Sequence, residues 1–184
     1  MPVDELESAD ATLAVLQHVL HGIGSEHESR QTPCREFNVG QLTDHLLNSI
    51  TLIGGAAGAE FPERDTNSSV EKQVMDAARP AMEAWHKRGL EGTVKIGPNE
   101  GPAKVFAGIL SIEFLVHAWD YANATGQVVE APDELSDYVF GLSRTIITDR
   151  SGPGFDDPVD VAEDAATLDR LIAFTGRQPV TQTR

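Results

Sequence analysis

The chain has 184 residues, 40% of them apolar, with 14 basic against 29 acidic side chains and a formal charge of −15. That length and apolar content fit one domain, residues 1–184, with a real core, and exclude a disordered chain. The acidic excess repels phosphate backbones and anionic lipid, which sets nucleic acid and membrane surfaces aside as partners, and it also serves solubility.

The N-terminal stretch Met1 to Glu7 is acidic and lacks the basic and apolar regions of a secretory signal. Leu6, Ala9, Leu13, Leu16, Leu20 and Ile23 then recur at three and four residues and predict one helix face. Asp4 with Glu7 caps this helix, and Gly22 and Gly24 end it. Thr32-Pro33-Cys34 breaks the chain. Asn38 with Gln41 opens a second helix with a stripe of Val39, Leu42, Leu46, Ile50 and Ile53, running out in Gly54-Gly55.

After a polar loop, Ser68 with Glu71 starts a third helix, with Val70, Val74, Ala78, Met82 and Trp85 on one side and Gly89 at its end. Pro80 falls inside it and predicts a kink. Thr93 to Ile96 reads as a short extended piece before Gly97-Pro98. From about Lys104 to Thr125, apolar residues cover nearly the whole circumference and mark a buried helix. Pro132 at the first helical position opens a helix over about 133–148. A Gly/Pro/Asp loop then leads to a last helix, about Asp164 to Thr175, stopped by Gly176. Residues 150–162 read as a lid or a plain loop. Helices with almost no strand predict an all-α bundle. The apolar runs are interrupted by charges short of a bilayer span, and Cys34 is the only cysteine, so the chain is expected to be soluble and cytoplasmic.

Chemistry concentrates on the buried helix. Glu113 and His117 lie four apart and so share a face, with Cβ atoms roughly 5–6 Å apart. An ionised glutamate among Ile109, Ile112, Leu115 and Val116 costs several kcal/mol unless a cation or strong donors compensate. Spacing alone favours an i,i+4 ion pair with His117. A metal site needs a third ligand, and His45, on the flank of the second helix, is the best candidate; alone it reads as a boundary histidine. His18, His21, His27 and His86 sit on polar or terminal segments. Asp120, one turn beyond His117, can orient a ligand or a water from behind, or hydrogen bond to Arg170 or Arg177 in a structural role. Trp119 reads as core, and Cys34, in a loop with no evident base, as a small packing residue.

The run Thr32-Pro33-Cys34-Arg35-Glu36-Phe37-Asn38-Val39, continuing to Leu42 and His45, resembles the opening motif of the DinB-like metalloproteins of mycothiol-using bacteria. That group includes the N-terminal domain of mycothiol-dependent maleylpyruvate isomerase. Glu113-Phe-Leu-Val-His117-Ala-Trp119-Asp120, with Ala124-Thr125-Gly126, is similar to the second motif of that family, and Asp169 to Arg177 resembles the closing segment of one uncharacterised branch. Phe37 stands where a tryptophan is usual, a change of packing more than of chemistry.

The resemblance implies a DinB-like four-helix bundle with an additional C-terminal helix. It also implies a divalent metal, zinc first and nickel or iron as alternatives, held by His45, Glu113 and His117. Two histidines and a carboxylate are the donor set of a catalytic ion with an open position. Such an ion either lowers the pKa of bound water, giving a hydrolase, or binds a thiol as thiolate. A free thiol with a pKa of about 8.5 is about 3% ionised at pH 7, so full ionisation gains about 30-fold, partly returned as lower nucleophilicity. The known chemistry of the family, thiol addition to a small electrophile, points to a transferase or isomerase using mycothiol as the thiol cosubstrate. A non-catalytic metal- or ligand-binding module is the reading of a different class. Bundles of this kind can pair through an exposed helix face, which leaves a homodimer open.

Overall fold

The computed structural model describes residues 1–179; the last stretch of the expected single domain, 180–184, lies outside the described residues. The protein is mostly helical, with six α-helices and one short hairpin: α1 Glu5–His21, α2 Val39–Ala56, α3 Val70–Arg88, β1 Thr93–Ile96, β2 Asn99–Pro102, α4 Ala103–Thr125, α5 Asp133–Ile146 and α6 Thr167–Phe174.

The local signals at the first two helices are used as the sequence implies. Asp4 accepts from the backbone N–H groups of Leu6 and Glu7, and Glu7 accepts from Val3. Asn38 and Gln41 form a reciprocal capping box at the start of α2. Other boundaries shift. Ser69, not Ser68, caps α3 by accepting from Lys72, because the Ser68 hydroxyl turns back to the Asp65 carbonyl. Pro132 is the N-cap residue of α5, just before the helix, and α6 begins only at Thr167. Helix α3 is continuous across Pro80: one lost hydrogen bond, about 1 kcal/mol net, is set against the buried contacts of Ala78, Ala81, Met82 and Trp85 on either side. The extended piece at Thr93–Ile96 has a partner that the sequence reading left out, since Asn99–Pro102 pairs with it in antiparallel register across Gly97-Pro98.

Helix α4 is the axis of the fold. It packs along α1 and also contacts α2, α5 and α6. By length and composition it could cross a membrane, yet 83% of its apolar window is buried within the protein. One side faces the larger core, where Leu110, Phe114, Ala118 and Tyr121 meet residues of α1, α2 and α3. The other side, through Ile112, Leu115, Val116 and Trp119, meets Leu135 and Val139 of α5 and Leu171 and Ile172 of α6. Trp119 is thus a core residue, as expected.

Two contacts fix α2, which carries His45, against its neighbours. Thr43 and Tyr121 hydroxyls meet at 2.8 Å between α2 and α4. The Thr43 proton is already given to the Val39 carbonyl, so Tyr121 donates. On the other side, Trp85 of α3 donates to the Ile53 carbonyl, and Gly54 lets the helices approach so closely that a Cβ there would lie 2.6 Å from the Ala81 Cβ. Helix propensity alone favours alanine over glycine by about 1 kcal/mol, but overpacking works against it. Gly54→Ala is therefore expected to lower stability, by about 1–3 kcal/mol in urea denaturation; a stabilised variant would show that the close approach carries no constraint.

Candidate metal centre

Helix α4 presents Glu113, His117 and Asp120 at successive turns of one face, and all three are buried. Helix α2 brings His45 against that face. The His45 and His117 rings meet edge-on with centroids 5.3 Å apart, and Phe37, just before the α2 cap, stacks on His45 at 4.9 Å. The phenylalanine thus supports a candidate ligand ring.

The donor atoms converge. Glu113 Oε2 lies 3.4 Å from His45 Nε2 and 3.3 Å from His117 Nε2, and the three residues can each offer one ligand atom with all of these atoms within 4.8 Å of one another. None of those three atoms has a hydrogen-bond partner among the described residues, although all three are buried. Buried polar atoms without partners are rare because each costs roughly 1–3 kcal/mol. The spacing also suits an ion: donors about 2.1 Å from a tetrahedral metal stand about 3.4 Å apart. The donor set and the spacing both fit a divalent metal.

Charge in the cluster is strongly coupled. Burial pushes the Glu113 carboxyl up, but the facing His117 and His45 more than reverse this and hold it well below the usual carboxylate range. Burial pushes His117 down, yet Glu113 on one side and Asp120 on the other outweigh it and raise the imidazole to about 9. Asp120 touches both His117 and Arg177. Its Oδ2 accepts from His117 Nδ1 at 2.9 Å, while the Arg177 guanidinium donates to both of its oxygens, at 3.1 and 2.9 Å. Arg170 is not its partner; that guanidinium lies over Phe140. With Nδ1–H given to Asp120, the Nε2 lone pair of a neutral His117 points at the cluster.

The remaining histidines stay away from this site. His21 pairs with Glu71, His86 with Asp10, and His27 Nδ1 accepts from the Gly24 backbone, while His18 is exposed. Cys34 is buried, and burial is the main reason that its thiol is pushed up to about 12, which fits a packing role.

Within the 150–162 segment, read from the sequence as a lid or a plain loop, residues 150–156 pass over the site, and a Cβ on Gly154 would lie 3.8 Å from His45 Nε2. The side chains of His45, Glu113 and His117 are only 18%, 7% and 0% exposed. The Gly-rich composition marks a loop but carries no signal of where it lands.

The coupling sets a pH dependence for metal-free protein. A histidine with a raised folded pKa stabilises fully below its unfolded value and loses that contribution as pH rises through the folded one. Kept in chelator, the protein is expected to lose stability between pH 6.5 and about 9, by up to about 1.4 kcal/mol per pH unit. Glu113→Gln should flatten the slope. A wild-type unfolding midpoint that does not move across this range would contradict the charged cluster.

No family model matches the chain, and no solved structure matches it. Two uncharacterized proteins from two strains of Mycobacterium tuberculosis are each 30% identical to it over 165 residues, covering 86% of this chain and 90% of the relative. The helices that carry His45, Glu113, His117 and Asp120 are part of a chain that belongs to the same family as these mycobacterial proteins.

Proposed function

We propose that the protein holds one divalent metal ion through His45, Glu113 and His117 and uses it to activate a small thiol against a small electrophile, as a transferase or isomerase with mycothiol as the candidate cosubstrate. The observation that carries the reading is the convergence of three buried donor atoms, from two helices, that have no hydrogen-bond partner among the described residues. On this reading α1 to α4 form a DinB-like four-helix bundle, which the packing of α4 on α1 and α2, and of α3 on α1 and α2, supports; α5 and α6 extend it.

When bound, a divalent ion supplies Lewis acidity that lowers the pKa of a thiol or a water placed against it. Zinc suits the donor set, and nickel and iron accept the same donors. The protein's own groups do the rest. With a divalent ion bound, Glu113 would be the one anionic donor and His45 and His117 would coordinate as neutral imidazoles, leaving the site a net positive charge that would attract a thiolate. Asp120 fixes the His117 tautomer. The ligand side chains are themselves almost wholly buried, and their low-dielectric surroundings would strengthen that attraction. The thiol comes from outside, since Cys34 is the only cysteine and is held protonated by burial.

Elemental analysis of tag-free protein is expected to find close to one zinc, nickel or iron per chain, lost in His45→Ala and in Glu113→Ala. Folded protein that holds no metal and refuses added zinc would leave a buried ion cluster in place of a metal centre. Metal-loaded protein should consume mycothiol with monochlorobimane faster than the two variants do. Stoichiometric metal with no metal-dependent rate above background would remove the transferase and leave a binding module.

A further inference from the structure

The guanidinium of Arg177 is buried and touches both sides of the candidate site. Behind His117 it donates to both Asp120 oxygens, at 3.1 and 2.9 Å. In front of His45 it donates to the Gly154 carbonyl, and it also donates to the Thr175 carbonyl at 3.0 Å. Its ring neighbour is Phe155, 5.6 Å away, in the same loop. The loop is tied to the C-terminal segment at further points: the Asp156 N–H donates to Thr175, and Arg150 bridges the carbonyls of Asp156 and Phe174. Gly176, at φ +91, approaches the Asp156 backbone so closely that a Cβ would lie 2.8 Å from it. From outside, Arg35 pairs with Asp156 at 2.9 Å.

A planar fork with five N–H donors can serve two acceptors at once, which an ammonium on a flexible stem cannot do with the same geometry. We propose that Arg177 is a positioning residue for the ligand His117 and the latch of the loop over His45: one side chain holds Asp120 against His117 Nδ1 and holds Gly154 across the mouth of the site. The inference rests on the metal reading above and adds a regulated entrance to it. Ligand exchange at the site then requires the Arg177–Gly154 contact to open while the Arg177–Asp120 contact stays.

Two readouts separate this from a merely structural role. Zinc affinity by chelator competition should fall 10–100-fold in Arg177→Met and similarly in Asp120→Asn; in the double variant Arg177→Met should add little to Asp120→Asn, because it acts through the same carboxylate. Zinc transfer to excess chelator should be faster in Arg177→Met than in Asp120→Asn, which leaves the loop contact in place. Arg177→Lys, which keeps the charge in the core, provides the same test if the methionine variant does not fold, and should keep much of the affinity while losing slow exchange. Native affinity and native exchange in Arg177→Lys or Arg177→Met, with zinc-binding wild-type protein, would overturn the latch alone. Wild-type protein that binds none of zinc, nickel and iron would overturn the metal reading and the latch with it.

Discussion

The side chain of Glu113 is an anion placed on the most buried helix of the protein, between the two apolar clusters that α4 joins. Leaving such a charge uncompensated costs several kcal/mol, a large part of the stability of a domain this size. Compensation arrives from two imidazoles, one on the same helix and one on α2. The arrangement works only if α2 and α4 keep their register. The Thr43–Tyr121 hydroxyl contact serves that register directly, and the close approach of Gly54 to Ala81 holds α2 against α3.

From Glu113 the chain of dependence runs outward. His117 is caught between two carboxylates, and the nearer one, Asp120, is itself buried and would be as costly as Glu113 without Arg177. Arg177 lies just beyond α6, in a segment whose path is set by Gly176 and by the packing of Leu171 and Ile172 on α4. The C-terminal helix is thus more than an appendage to the larger core, because it delivers the cation that completes the charge network. The same cation reaches the loop that covers the site. Burial of the candidate ligands and placement of the C-terminal segment are one construction.

The acidic surface bears on this only indirectly. Its charge disfavours polyanionic partners, while the buried cluster pairs Glu113 and Asp120 with His117 and Arg177.

Periodicity and capping residues determined by themselves which segments are helices, because hydrophobic spacing and the Asp4 and Asn38 caps are local properties. The i,i+4 spacing of Glu113 and His117 likewise determined that they share a face. Boundaries that depend on competing local hydrogen bonds, such as Ser68 against Ser69, were not legible, and neither was the second strand of the hairpin. Only the tertiary structure decided that His45 reaches Glu113, since the approach of two helices is set by packing across the core. It also decided that Asp120 binds Arg177 rather than Arg170, and that Gly154 stands over His45. These contacts join residues 57 positions or more apart in the chain, and no local pattern encodes which distant partner a charge or a loop will meet.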